Sequence, residues 1–147
     1  MPLARISLRR GRDAAWLHRL SQAVQRALVE SFEVPPSDCF QILHQHEADE
    51  LIFDPLYSGP EPLSAPRSAD FILIALTAGR VRSLATKQAF YRRLTELLAQ
   101  SNAIAPQDVM VIINITGPED WSFGDGKASL VPPAPSNIGD DHARHEL

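Results

Sequence analysis

Apolar and polar positions roughly alternate from Leu3 to Leu8, and this period of two predicts a strand with one buried face. Gly11-Arg12 interrupts the pattern, and Asp13 stands where a helix N-cap belongs. From Ala14 to Phe32 the period changes. Leu17, Leu20, Val24, Leu28 and Phe32 recur at helical spacing until Val34-Pro35-Pro36 stops the helix. Asp38 then precedes a second strand, Cys39 to His44.

The same plan returns further along. Phe71 to Thr77 predicts a strand, and Gly79-Arg80 interrupts it. Leu84, Phe90, Leu94, Leu97 and Leu98 mark a helix from about Ser83 to Gln100, which Ala105-Pro106 stops. Asp108 follows, and Val109 to Ile115 is the last strand. Pro36-Ser37-Asp38 matches Pro106-Gln107-Asp108 in spacing and chemistry, as Gly11-Arg12 matches Gly79-Arg80. The pattern therefore reads as a tandem β-α-β duplication, with units of about 2–46 and 70–116. A right-handed crossover makes the two strands of each unit parallel. Two units side by side predict an α/β (α+β) fold, a four-stranded mixed sheet with both helices on one face. The other face then needs cover, and strands apolar almost throughout suit burial on both sides. Three copies packed sheet-inward, a homotrimer, are the expected assembly.

Between the halves, residues 54–68 carry Pro55, Pro60, Pro62 and Pro66 and predict a linker without a long element, either a lid or a spacer. Residues 1–130 are expected to form one domain, and 131–147 a polar tail. The chain is 147 residues long and 44% hydrophobic, enough for a core. A net charge of −4 with scattered basic residues predicts no nucleic-acid partner. The apolar runs are too short to span a bilayer, so no membrane association is expected. Arg9, Arg10 and Arg12 break any signal-peptide core. Cys39 is the single cysteine, which excludes an intramolecular disulfide and predicts a cytoplasmic protein. Beside Asp38 it reads as a packed, unreactive thiol. His44 and His46 share a strand face but lack an apparent third ligand, so a structural or interface role is expected and no metal site. His142 and His145 read as incidental tail residues. No phosphate-binding glycine loop or serine nucleophile elbow is present.

The candidate chemistry begins at Pro2. If Met1 is removed, Pro2 becomes a secondary amine that can serve as base, acid or nucleophile. A proline elsewhere is an amide without basicity. Arg80 and Arg82 either aim two guanidinium forks at one carboxylate or are solvated cations at a helix mouth. A helix N-terminus already favours anions, so two further cations there suit an anion site. Asp38 is either a partner of the amine or a turn residue, and its repeat mate Asp108 reads as structural. Trp121 and Phe123 alternate along a short segment, so both can point to one side, and as isolated aromatics they read as core; Arg12 reads as a surface charge.

Met1-Pro2-Leu3, Gly11-Arg12, Asp38, Arg80-Val81-Arg82, Pro106-Gln107-Asp108-Val109 and Asp120-Trp121-Ser122-Phe123-Gly124 together resemble the tautomerase superfamily, and within it the malonate semialdehyde decarboxylase branch, over about residues 2–130. The resemblance implies a trimer without cofactor. It gives Pro2 the role of catalytic amine and Asp38 that of the adjacent carboxylate. Arg80 and Arg82 hold a small carboxylate substrate, and Trp121 and Phe123 form an apolar wall. The implied reaction is decarboxylation of a small 3-oxo acid, with protonated Pro2 polarising the carbonyl or Pro2 forming an iminium. The alternatives are a tautomerase, hydratase or dehalogenase acting on a small unsaturated or enol acid, and a non-catalytic trimeric binding module. The linker is longer than the turn region expected of this branch, and Tyr57 and Arg67 within it are potential added contacts. An apolar pocket lowers an amine pKa and a carboxylate raises it, and the sequence leaves that balance open.

Overall fold

A computed structural model describes residues 1–135. Its elements run in the expected order: β1 (Pro2–Arg9), α1 (Ala14–Ser31), β2 (Phe40–His46), β3 (Ile72–Ala78), α2 (Leu84–Asn102) and β4 (Val109–Ile115). Strand order is β2-β1-β3-β4. The outer pairs β1–β2 and β3–β4 are parallel, as the crossover argument requires, and the central β1–β3 pair is antiparallel. That central pairing sets Pro2 against Ala78 and Leu8 against Ile72. The start of each half therefore lies beside the end of the other half's first strand.

Period-two burial is clean in the central strands. Ala4, Ile6, Leu8, Ile72, Ile74, Leu76 and Ala78 are buried toward the helices and join Leu20, Val24, Leu28, Phe32, Phe90, Leu94 and Leu98 in one core. The sheet's other face carries Leu3, Phe40, Ile42, Leu73, Ala75, Met110 and Ile112 by alternation. Ile42, Met110 and Ile112 are exposed there, so the expected two-sided burial of the last strand is met on one side only within a single chain.

Both helices are capped as written in the sequence. Trp16 N–H donates to Asp13 Oδ1 at 2.8 Å, and Thr86 N–H to Ser83 Oγ at 3.1 Å. Both also end alike. Glu33 and Ala103 take the left-handed conformation at φ 56° and 55°. The next residue then returns its N–H to the helix: Val34 to the Leu28 carbonyl and Ile104 to the Leu98 carbonyl, each at 3.3 Å. The second strand begins one residue later than expected and runs to His46, and the third is shifted by one to Ile72–Ala78. The second helix reaches Asn102, two residues beyond its expected end. Cys39 is exposed, not packed, because it lies in the turn before β2.

Among the described residues, 47–71 contain no helix or strand. Arg67 ties this linker to itself, its N–H donating to the Pro55 carbonyl at 2.9 Å and its Nη1 to the Asp54 carbonyl at 2.8 Å. No helix among the described residues is long and apolar enough to cross a membrane. Met1–Thr116 form one compact unit, and a second unit begins at Gly117. His142, His145 and most of the tail lie outside the described residues.

Candidate active site

The site is assembled at one mouth of the sheet from three chain segments: the start of β1, the turn before β2, and the loop after β3. In the chain as numbered, Met1 precedes Pro2, so the Pro2 nitrogen is an amide and the amine at this mouth belongs to Met1. It stands in for the Pro2 amine that loss of Met1 would release one residue deeper. Pro2 itself is buried.

The Met1 amine lies 3.6 Å from Asp38 Oδ2, an ion pair longer than a hydrogen bond. Asp38 is only 6% exposed, and neither carboxylate oxygen accepts a hydrogen bond. Its main chain is held from both sides. Its N–H donates to the Pro35 carbonyl at 3.0 Å, and its carbonyl accepts from Gln25 Nε2 at 3.0 Å. The main chain that carries the carboxylate is thereby held while its acceptors are unspent, an unusual state for a buried carboxylate.

Arg82 is 3% exposed. Its Nε donates to the Phe32 carbonyl at 3.2 Å and its Nη1 to the Arg80 carbonyl at 3.1 Å. The guanidinium carbon sits 4.4 Å from the Phe32 ring centroid, and that ring packs on Phe90 at 4.9 Å. Its remaining nitrogen, Nη2, is buried without a hydrogen-bond partner. One end of the fork is anchored and the other is available. Burial lowers the Arg82 pKa, with Arg80 adding to that and Glu33 and Asp38 opposing it. The residue still titrates far above neutrality.

Arg80 does not converge with Arg82 on one point. It is exposed, and its Nη2 donates to Glu33 Oε2 at 2.7 Å. The sequence pattern did not single out Glu33. The signal was present, since Glu33 occupies the residue just before Val34-Pro35, where a helix end favours glycine.

Electrostatically the mouth pulls both ways on an amine. The Met1 amine titrates below its ordinary 8.0, chiefly because it is partly buried. Asp38 opposes that shift, while Arg82 and Arg80 add to it.

Trp121 and Phe123 belong to the second unit. Their rings stack at 5.6 Å. Their backbones are fixed by Ser129, whose N–H donates to the Trp121 carbonyl at 3.1 Å and whose Oγ accepts from Phe123 N–H at 2.9 Å. Arg12 lies at the opposite mouth of the sheet, paired with Asp70 and stacked 4.4 Å over Trp16. His44 and His46 do share a face, with ring centroids 6.4 Å apart. No cluster of three or more His, Cys, Asp or Glu able to hold a metal occurs among the described residues.

Two family models, each described as tautomerase enzyme, match residues 2–60 and 38–124. A probable tautomerase of Bacillus subtilis, YusQ, is 33% identical over 89% of this chain and 99% of its own length. Crystal structures of malonate semialdehyde decarboxylase superpose with a TM-score of 0.77 at 33% identity, over 87% of this chain and 95% of that one. A fused 4-OT, described as a symmetric trimer, shares the fold at a TM-score of 0.67 and 20% identity, over 85% of this chain and 94% of its own. The duplicated sheet, the motifs that sequence shares with these proteins, and the matched models together agree: this chain belongs to the tautomerase superfamily.

Proposed function

We propose that this protein is a decarboxylase of a small 3-oxo acid, malonate semialdehyde or a near relative, acting through the amine of Pro2. The observation that carries the reading is a pair of spent and unspent valences at one sheet mouth. Asp38 and Arg82 are both buried and rigidly anchored, yet each keeps a polar group without a hydrogen-bond partner beside the chain's amine. Such groups are costly in a folded protein unless a ligand uses them.

The chemistry follows from the residue types. Arg82 Nη2 takes one oxygen of the substrate carboxylate, and Arg80 supplies a second cation near it. Pro2 as its ammonium donates a hydrogen bond to the aldehyde oxygen. The bond between the carboxylate carbon and the methylene carbon then breaks, carbon dioxide leaves, and the electron pair passes to an enolate on the Pro2 side. Protonation of that carbon gives acetaldehyde. Asp38 stabilises the ammonium form. Removal of Met1 also frees the Gly79 N–H, which here donates to the Met1 carbonyl at 3.1 Å, to bond the substrate instead. We assign Trp121 and Phe123 to water exclusion on the strength of the family resemblance alone. Malonate semialdehyde decarboxylase, which this chain resembles, has both decarboxylase and hydratase activities.

A second reading has one observation in its favour. Burial and the arginines outweigh Asp38 and lower the amine pKa. A neutral Pro2 is a base and would move a proton along an enol acid, a tautomerase reaction. A homotrimer accompanies either reading, supported by the apolar open sheet face with Ile42, Met110 and Ile112 exposed.

The test is direct. Mature protein is mixed with malonate semialdehyde and, separately, with phenylenolpyruvate. Acetaldehyde and carbon dioxide from the first support the decarboxylase, and ketonisation of the second alone supports the tautomerase. Consumption of neither sinks both.

A further inference from the structure

Glu33 accepts a hydrogen bond from Arg80, and its backbone is unusual. At φ 56° it lies in the left-handed region, where a side chain costs energy that glycine avoids. The turn itself needs no carboxylate. Ala103 ends α2 in the same conformation and supports the same return hydrogen bond with a methyl group alone. What Glu33 adds is therefore its carboxylate.

That carboxylate sits where an incoming anion would be drawn. Oε2 accepts from Arg80 Nη2 at 2.7 Å, and Oε1 accepts from Thr86 Oγ1 at 3.4 Å. Thr86 is in the first turn of α2, and its N–H donates to the capping Ser83. Glu33 thus places a negative charge at a helix N-terminus and on a guanidinium together, the two features that attract a substrate carboxylate. Arg82 makes no hydrogen bond to Glu33; its two bonds go to main-chain carbonyls.

We propose that Glu33 is a resident competitor for Arg80. It occupies that fork in the empty site, so a substrate carboxylate binds first through Arg82 Nη2 and must displace Glu33 to gain Arg80. Glu33 then sets affinity for small monocarboxylates and not the rate of the chemical step. The proposal rests on the carboxylate-binding reading of the two arginines given above. The pair is half exposed, with each side chain at 54%. An exposed ion pair is weak, so displacement weakens substrate binding by about two- to fivefold. Arg80 holds Glu33 below its ordinary 4.5, so the competitor stays charged at neutral pH and acidification to pH 6 does not release Arg80.

The experiment compares wild type with Glu33→Ala, which copies the helix end at Ala103, and with Glu33→Gln, which keeps size but removes charge. Propanoate is titrated into each, following the arginine side-chain N–H resonances by NMR, and melting temperatures check that each variant folds. Both variants are expected to bind propanoate about two- to fivefold more tightly than wild type. KM for the active substrate is expected to fall by the same factor, with kcat nearly unchanged. Unchanged or weaker propanoate binding in both folded variants overturns the proposal. The titration needs no turnover. If wild type consumes neither test substrate, the reaction assignment fails while the competitor reading is still decided by propanoate.

Discussion

The two mouths of the sheet are built to one plan and finished differently. The antiparallel pairing of β1 with β3 relates them. At the first stand the start of β1, Asp38 and the loop carrying Arg80 and Arg82. At the second stand the start of β3, Asp108 and the loop carrying Arg12. Asp108 is 1% exposed and fully used: Ser68 N–H and Ser68 Oγ each donate to it at 2.6 Å. Arg12 is paired with Asp70. A cavity of about 250 Å³ opens there between Arg9, Arg12, Trp16 and Asp70, and Arg9 Nε beside it is buried without a hydrogen-bond partner. Asp38 is buried to nearly the same degree and its carboxylate has no hydrogen bond. The cause is the polypeptide upstream. Before β3 the linker runs on and Ser68 satisfies the aspartate. At the start of β1 the Met1 amine lies 3.6 Å from Asp38 Oδ2, beyond hydrogen-bond distance. One aspartate has its carboxylate bonded by Ser68, and its mate does not have a hydrogen bond to its carboxylate.

This contrast can be pressed experimentally, beginning with the severest change. Retention of Met1 acylates the Pro2 nitrogen, and such protein, separated by intact mass, is expected to be inactive. Pro2→Ala and Arg82→Ala should each lower kcat/KM by about 100-fold or more, measured per folded protein. Wild-type decarboxylation in both would end the mechanism. Arg82→Lys should not rescue, because an ammonium cannot bond the Phe32 and Arg80 carbonyls and a ligand in one plane.

Asp38→Asn and Asp108→Asn test the comparison itself. The first should lower the Pro2 amine pKa, since it removes the group that raises it, and cut activity by about tenfold or more. Arg82→Ala should move the same pKa upward. NMR of labelled proline reads both directions. Asp108→Asn should leave that pKa alone and cost about 1–3 kcal/mol of stability by denaturant titration, because Ser68 loses a charged acceptor. Equal effects of the two substitutions on the amine would erase the distinction between the mouths.

The smallest effect comes from exposed ion pairs. Arg93 and Arg26 hold Glu30 below 4.5, and Arg80 does the same for Glu33. Carboxylates with lowered folded-state pKa values favour the fold above their unfolded pKa, and that contribution is lost as pH falls through the folded value. Stability should therefore decline slightly below pH 4.5, and Arg93→Ala should blunt the Glu30 part of that decline. These pairs are solvent-exposed, so salt should mask the effect.

Much of this was legible in the chain. The Asp13 cap, the six elements and their repeat followed from period and punctuation, and the matched families bear out the tautomerase resemblance. The six proposed site residues were named from those motifs, and four of them lie in the compact first unit at one mouth. Glu33 escaped notice because its one signal, a non-glycine residue at a helix end, says nothing of which cation its carboxylate meets. The one-residue shifts of β2 and β3 arose because strand limits depend on which neighbour supplies the ladder bonds.

Local pattern was enough to specify the elements and their succession along the chain, because hydrophobic period and capping act over a few residues. It also fixed which side chains were available for chemistry. The roles of matching residues were settled across the fold. Whether an aspartate is satisfied or unsatisfied, and whether an arginine is buried with one free nitrogen or turned outward to a glutamate, depends on groups tens of residues away. Arg82 meets Phe32 and Asp108 meets Ser68 only once the strands have paired. Hydrogen-bond completion is a property of packed neighbours, and neighbours in space are set by the sheet.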